Sequence, residues 1–271
     1  MFVNVTTSNS QSSPEWVERV LSLALQTMYT VTGSKSLVES GLVPNLIQVF
    51  KTQMCPTFLN REDWCFALAQ TALILETALT SYESIVDTLI DVGACSSIVL
   101  RLNQECKRLE KRMKNKEGPT HGENSLLQHL ITLLMTIGST ISHHAPGQAQ
   151  MGKNDTLLES LRFLIEGADT RPESLFTHAA HLLSDLLNND PSTLKSVHES
   201  GLAEAYMRVL VEDRIPAVPE ALAAAPGVLR ALGLTTEMEN KILEFETSPI
   251  DAIFSVMLKE RFTECLGRDV A

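Results

Sequence analysis

Aromatic residues are scarce in this 271-residue chain: two Trp, three Tyr and nine Phe make up 5% of it. Sheets draw on aromatic and β-branched side chains, so the shortage argues against a large β-sheet before any pattern is read. Cysteines are few, and their spacing pairs none of them. Cys55, Cys65, Cys95, Cys106 and Cys265 are odd in number and lack zinc-ribbon or redox intervals, which predicts reduced thiols. Positive charge is short as well. Twenty-two Lys and Arg face 33 Asp and Glu, for a net charge of −11. A phosphate backbone repels such a chain, so no direct nucleic-acid binding is expected.

Long apolar runs are absent too. No stretch approaches 18 uninterrupted apolar residues, and the opening MFVNVTTSNSQSS has neither the basic start nor the apolar run of a signal peptide. The expectation is no membrane contact and a cytoplasmic or nuclear location. Catalytic signatures are missing: GxSxG, HExxH, GxxxxGK[ST] and GxGxxG do not occur. No carboxylate pair sits in an apolar setting that would hold one of them protonated for acid catalysis. Neither an enzymatic activity nor a cofactor is expected of this chain.

What is present is helical periodicity. After a polar lead-in over residues 1–13, Ser13-Pro14 reads as an N-cap followed by proline at the first helical position. From Trp16 to Thr30, Val17, Val20, Leu21, Ala24, Leu25 and Met28 follow a 3.6-residue period, and Gly33 is expected to stop that helix. Similar blocks cover 63–80, 125–142, 155–167 and 173–188, separated by Pro- and Gly-containing breaks. Residues 218–225 and 228–232 read as two helical pieces interrupted by Pro226.

A repeated phrase organises the blocks. LVESGLVPNLIQVF (37–50), LIDVGACSSIVLRL (89–102) and VHESGLAEAYMRVL (197–210) each show a short apolar helix end, a glycine, and a helix with an apolar face. A degenerate copy surrounds Gly152. Gly41, Gly93, Gly152 and Gly201 are spaced by 52, 59 and 49 residues. Glycine ends a helix in a left-handed turn without a Cβ clash, and the next helix then folds back on the first. One helical pair cannot bury its apolar face alone, so copies must stack. The expected fold is all-α, an armadillo/HEAT-like helical repeat solenoid (superhelix). It forms one domain over 14–271, with a basic helix extension and loop at 103–124.

Two clusters could carry binding. Residues 105–117, ECKRLEKRMKNKE, hold six Lys and Arg against three acids. Lys107, Arg108, Lys111 and Arg112 fall on one helical face, which could dock an acidic partner or simply be solvated. His178, His181 and Asp185 share another helix face, but three ligands on one helix seldom close a metal shell, and no second cluster supports them. The importin type of armadillo groove is excluded, since neither Trp16 nor Trp64 is followed four residues later by Asn.

Three segments resemble a known region. CFALAQTALILETALTSYESIVDTLIDVGACSSIVLRLNQE (65–105) ends in an Arg-Leu-x-x-Glu pattern formed by Arg101, Leu102 and Glu105. LLQHLITLLMTIGSTI (126–141) resembles the long helix that follows a variable loop. Residues 200–257 carry Ser200-Gly201-Leu202, Ile215-Pro216, Glu220-Ala221-Leu222, Pro226 and Leu229-x-Ala231-Leu232-x-Leu234. Together they resemble the armadillo-like N-terminal region of the giant HECT-type ubiquitin ligases, the Mule family of animals and its fungal and plant relatives. The chain has Met238-Glu239 where that family tends to have Gly-Leu. The resemblance implies a segment of a large ring-shaped scaffold that recruits protein substrates for a C-terminal HECT domain. Partners would then be protein substrates, basic ones given the acidic chain, and other parts of a larger ligase. No cysteine of this chain matches the ubiquitin-accepting one. A free-standing armadillo adaptor or chaperone is the alternative.

Overall fold

The structure, a computed structural model, describes residues 14–53, 61–114, 121–216, 218–234, 240 and 247–258. The polar lead-in, Cys55, Cys265, the Gly118-Pro119-Thr120 loop and Met238-Glu239 lie outside the described residues. The chain divides into two compact units, residues 1–147 and 148–271.

The first unit opens with α1 (Pro14–Met28), which buries Val17, Leu21, Ala24 and Met28. It continues with α2 (Val31–Glu39), α3 (Leu42–Lys51), α4 (Arg61–Ser81), α5 (Ile85–Asp91), α6 (Ala94–Lys114) and α7 (His121–Ser142). Helix α4 packs against both α1 and α7, while α6 packs against α3 and α7. Because α4 is covered on several sides, it buries residues right around its circumference: Ala67, Leu68, Ala69, Thr71, Ala72, Ile74 and Leu75. In α7, Asn124–Ser142 is long and apolar enough to cross a membrane by length and composition, and 56% of that stretch is buried inside the protein. Leu127, Leu130, Ile131 and Leu134 have no exposed surface, as expected of a core helix.

The second unit contains α9 (Asp155–Glu166), α10 (Glu173–Asn189), α11 (Pro191–Glu199) and α12 (Leu202–Val211). A 3₁₀ turn (Pro219–Leu222), α13 (Ala225–Leu232) and α14 (Pro249–Met257) follow; the short helix α8 (Ala145–Met151) runs through the boundary between the units. Helix α9 packs on α10 and α12, α13 packs on α10, α11 and α12, and α14 packs on α12. Phe176 and Tyr206 stack in this core with ring centroids 6.1 Å apart.

The elements recur in threes, a short helix followed by two others: α2-α3-α4, α5-α6-α7, α8-α9-α10 and α11-α12-α13. Three of the four junctions after the short helix are built alike. Gly41, Gly93 and Gly201 adopt φ of 75°, 75° and 71°, and their N–H groups donate to Val38, Ile90 and His198 carbonyls at 2.9–3.0 Å. The residues before them, Ser40, Val92 and Ser200, donate to the carbonyls of Ser36, Thr88 and Ser196. Left-handed backbone at these points turns the chain at once into the next helix.

Gly152 is built differently. It is not among the positive-φ glycines; a Cβ there would meet Thr193 Oγ1 at 2.5 Å, and Asn154 caps α9 instead by accepting from Leu157 N–H. Gly33 does not end a helix. Helix α1 stops at Met28, Thr30 caps α2 through the N–H of Gly33, and a Cβ at Gly33 would collide with the Thr27 carbonyl. Pro226 opens α13 within its first turn rather than interrupting a helix. The stretch before it makes a single 3₁₀ turn, held by Tyr206 Oη on the Ala221 carbonyl (2.7 Å) and Ser184 Oγ on the Ala223 carbonyl (3.1 Å).

Candidate partner-binding site

Helix α6 carries the charged chemistry of the first unit. Its middle turns are buried, yet they hold Arg101 and Glu105, whose side chains are 3% and 5% exposed. Burying charge is tolerated only when the charges pair and their remaining donors are used. Both conditions are met here. Arg101 Nη1 meets Glu105 Oε1 at 3.2 Å, Nε and Nη2 donate to the Phe50 carbonyl at 3.0 and 2.7 Å, and Nη2 also reaches the Thr52 carbonyl. Those carbonyls end α3, so one guanidinium satisfies acceptors that the helix itself leaves open. Burial lowers the pKa of Arg101, and the Glu105 carboxylate opposes that shift.

The four cations expected on one face of this helix separate into two kinds. Lys107 and Lys111 are exposed. Arg108 turns inward, with its side chain 16% exposed and Nη1 at 3.4 Å from Glu105 Oε2, and Arg112 is half-buried. Beside them opens a cleft of about 340 Å³, lined by Gln53, Arg61, Trp64, Arg101, Gln104, Glu105, Lys107, Arg108 and Lys111. Five cations and one carboxylate thus border one cleft in a chain of net charge −11. Sequence reading missed Arg61, Gln53 and Gln104, because only the packing of α3, α4 and α6 brings them beside the lysines. Arg101 and Glu105 stood out only through the resemblance; an Arg-Glu pair four apart looks like any exposed helical ion pair until burial is known.

His178 is half-buried, and its Nδ1 lies 2.7 Å from the Ser174 carbonyl, a local helix contact. Among the described residues, no group of three or more His, Cys, Asp and Glu is arranged to hold a metal ion. Cys65, Cys95 and Cys106 are buried free thiols. Burial pushes Cys65 up to about 11, against the opposing pull of Arg108, and raises Cys95 as well. A thiol held neutral is a poor nucleophile, so these two are packing groups.

Comparison with known proteins accords with this architecture. Residues 70–271 match the family described as Domain of Unknown Function (DUF913). The chain is 26% identical over 249 residues to the E3 ubiquitin-protein ligase UPL2 of Arabidopsis thaliana, covering 85% of this chain and 7% of that protein. It is 26% identical over 113 residues to the E3 ubiquitin-protein ligase HUWE1 of Mus musculus, covering 42% of this chain and 2% of that one. The chain therefore spans only a small part of the ligases it matches. In fold it is similar to a designed armadillo repeat protein solved in complex with the peptide (KR)4, with a TM-score of 0.61 and 14% identity over 97% of this chain and 94% of that one. The helical triplets are thus of the armadillo repeat type, the resemblance to the N-terminal region of giant HECT-type ligases holds, and the chain belongs to the DUF913 family.

Proposed function

We propose that this chain is a protein-binding scaffold segment of a HECT-type ubiquitin ligase, recruiting substrates while the transfer chemistry resides elsewhere in a longer protein. The observation that carries this reading is the similarity over 85% of the chain to an E3 ubiquitin-protein ligase, on a fold made of recurring helical triplets. Such folds present extended surfaces to other chains. The net charge of −11 favours basic substrates, because complementary charge speeds encounter and disfavours acidic competitors. A designed protein of the same fold class holds a basic peptide, (KR)4, in line with that expectation. The proposed location is cytoplasmic, nuclear or both, and the other partners are further parts of the ligase.

The test is to immunoprecipitate the native protein with an antibody to this segment and supply it with E1, E2 and ubiquitin. A polypeptide far larger than 29.8 kDa that forms a reductant-sensitive ubiquitin thioester is the expected result. A native protein of the size of this chain, with no thioester, overturns the ligase reading and favours a free-standing adaptor.

A further inference from the structure

We propose that the cleft bordered by Arg61, Lys107 and Lys111 binds an extended acidic segment of a protein partner. This site goes beyond the ligase reading and stands independently of it. The charges are unequal in availability. Glu105, the carboxylate that lines the cleft, is engaged by Arg101 and Arg108 at 3.2 and 3.4 Å. Lys107, Lys111 and Arg61 are exposed, so their charge faces outward. At physiological salt, charges separated by more than about 8 Å are largely screened, so the distant part of the net charge of −11 weighs less on a ligand in the cleft than the cations that line it.

Geometry favours a peptide. Lys107 and Lys111 stand one helical turn apart, about 6 Å along the axis. That matches carboxylates two residues apart on an extended strand, about 6.6 Å. The ammonium groups can then each take one carboxylate, with Arg61 available for a third. A nucleic acid fits less well. Stacking platforms for single strands need exposed aromatic faces, and Trp64, the aromatic that lines the cleft, is 3% exposed with its indole N–H donated to the Gln53 carbonyl at 2.9 Å. A long polyphosphate would also run beyond the local patch onto a chain of net charge −11.

The experiment measures fluorescence anisotropy of three labelled probes with the whole chain: an alternating Glu-Ser peptide, an alternating Lys-Ser peptide and a mixed-sequence single-stranded DNA. The expected result is binding of the Glu-Ser peptide that weakens as salt rises. The double variant Lys107→Glu/Lys111→Glu weakens it about tenfold or more. Lys153→Glu/Lys195→Glu, which makes the same change in net charge on exposed residues of the second unit, leaves it within about twofold. Circular dichroism and melting temperature show that both doubles stay folded, and Lys107→Gln/Lys111→Gln gives an intermediate loss. The proposal is overturned if the Glu-Ser peptide does not bind, if both double variants weaken it equally, or if the DNA binds through Lys107 and Lys111 while the peptide does not.

Discussion

The guanidinium of Arg101 donates twice to the carbonyl of Phe50, 51 residues earlier in the chain, and so fastens the end of α3 to the middle of α6. Arg101→Met removes both bonds and leaves Glu105 buried with only Arg108 nearby. The expected loss is about 3–5 kcal/mol in urea unfolding. Glu105→Gln keeps the Phe50 contacts and costs less, about 1–3 kcal/mol. The double variant Arg101→Met/Glu105→Gln costs less than the sum of the two, because both single changes break the same Arg101–Glu105 pair.

The left-handed turns make a second prediction. Gly201→Ala costs about 1–2 kcal/mol, because an L side chain is strained at φ +71° and its Cβ would stand 3.2 Å from Arg162 Nη1. Gly201→Val costs more, with a β-branched group at the same place. Gly152→Ala is destabilising for a different reason, contact with Thr193, so Thr193→Ala partly rescues it. Trimming Arg162 to Ala does not rescue Gly201→Ala. Thermal melts of the five single and two paired variants check this.

Tyr206 should be silent to base while the chain is folded. Its hydroxyl donates to the Ala221 carbonyl at 2.7 Å, and burial raises its pKa. Ultraviolet difference spectra should show this phenol ionising only on unfolding. Tyr206→Phe leaves the Ala221 carbonyl without its donor and costs about 1–3 kcal/mol by chemical denaturation.

Cys65 links stability to alkaline pH. Its pKa rises from 9.0 to about 11 on folding, so the unfolded chain loses this proton first. Stability is therefore full below pH 9 and falls as pH rises toward 11. Cys65→Ala removes that slope at the expense of a small cavity. In native protein at neutral pH, Cys65 should resist iodoacetamide until denaturant is added, read by mass spectrometry.

Salt distinguishes the proposed substrates. If basic segments bind through the overall acidity of the chain, their affinity falls as salt rises. Binding of candidate basic substrates that is unchanged across a salt titration counts against that part of the reading.

Much of the fold could be read from the sequence because helical faces are a local signal. The blocks at 63–80, 125–142, 155–167 and 173–188 correspond to α4, α7, α9 and α10, and the glycine phrases mark three turns of one geometry. The errors lie where a tertiary neighbour decides. Gly33 looks like a helix stop, but its lack of a side chain serves the close approach of the Thr27 carbonyl. Pro226 starts a helix because Tyr206 and Ser184 take the carbonyls of the turn before it. The cleft was half legible: the run of cations on α6 shows in the sequence, but the inward turn of Arg108 onto Glu105 and the arrival of Arg61 from α4 are products of packing.

The bonds that tie elements together have a modest reach. Arg101 to Phe50, Gln148 to Leu186 and Ser184 to Ala223 join residues 51, 38 and 39 apart. During synthesis, each of these contacts can close once a few dozen further residues have left the ribosome, without waiting for a distant end of the polypeptide. A scaffold extended by repeats of this kind would grow in length with little added delay before any one repeat finds its partners.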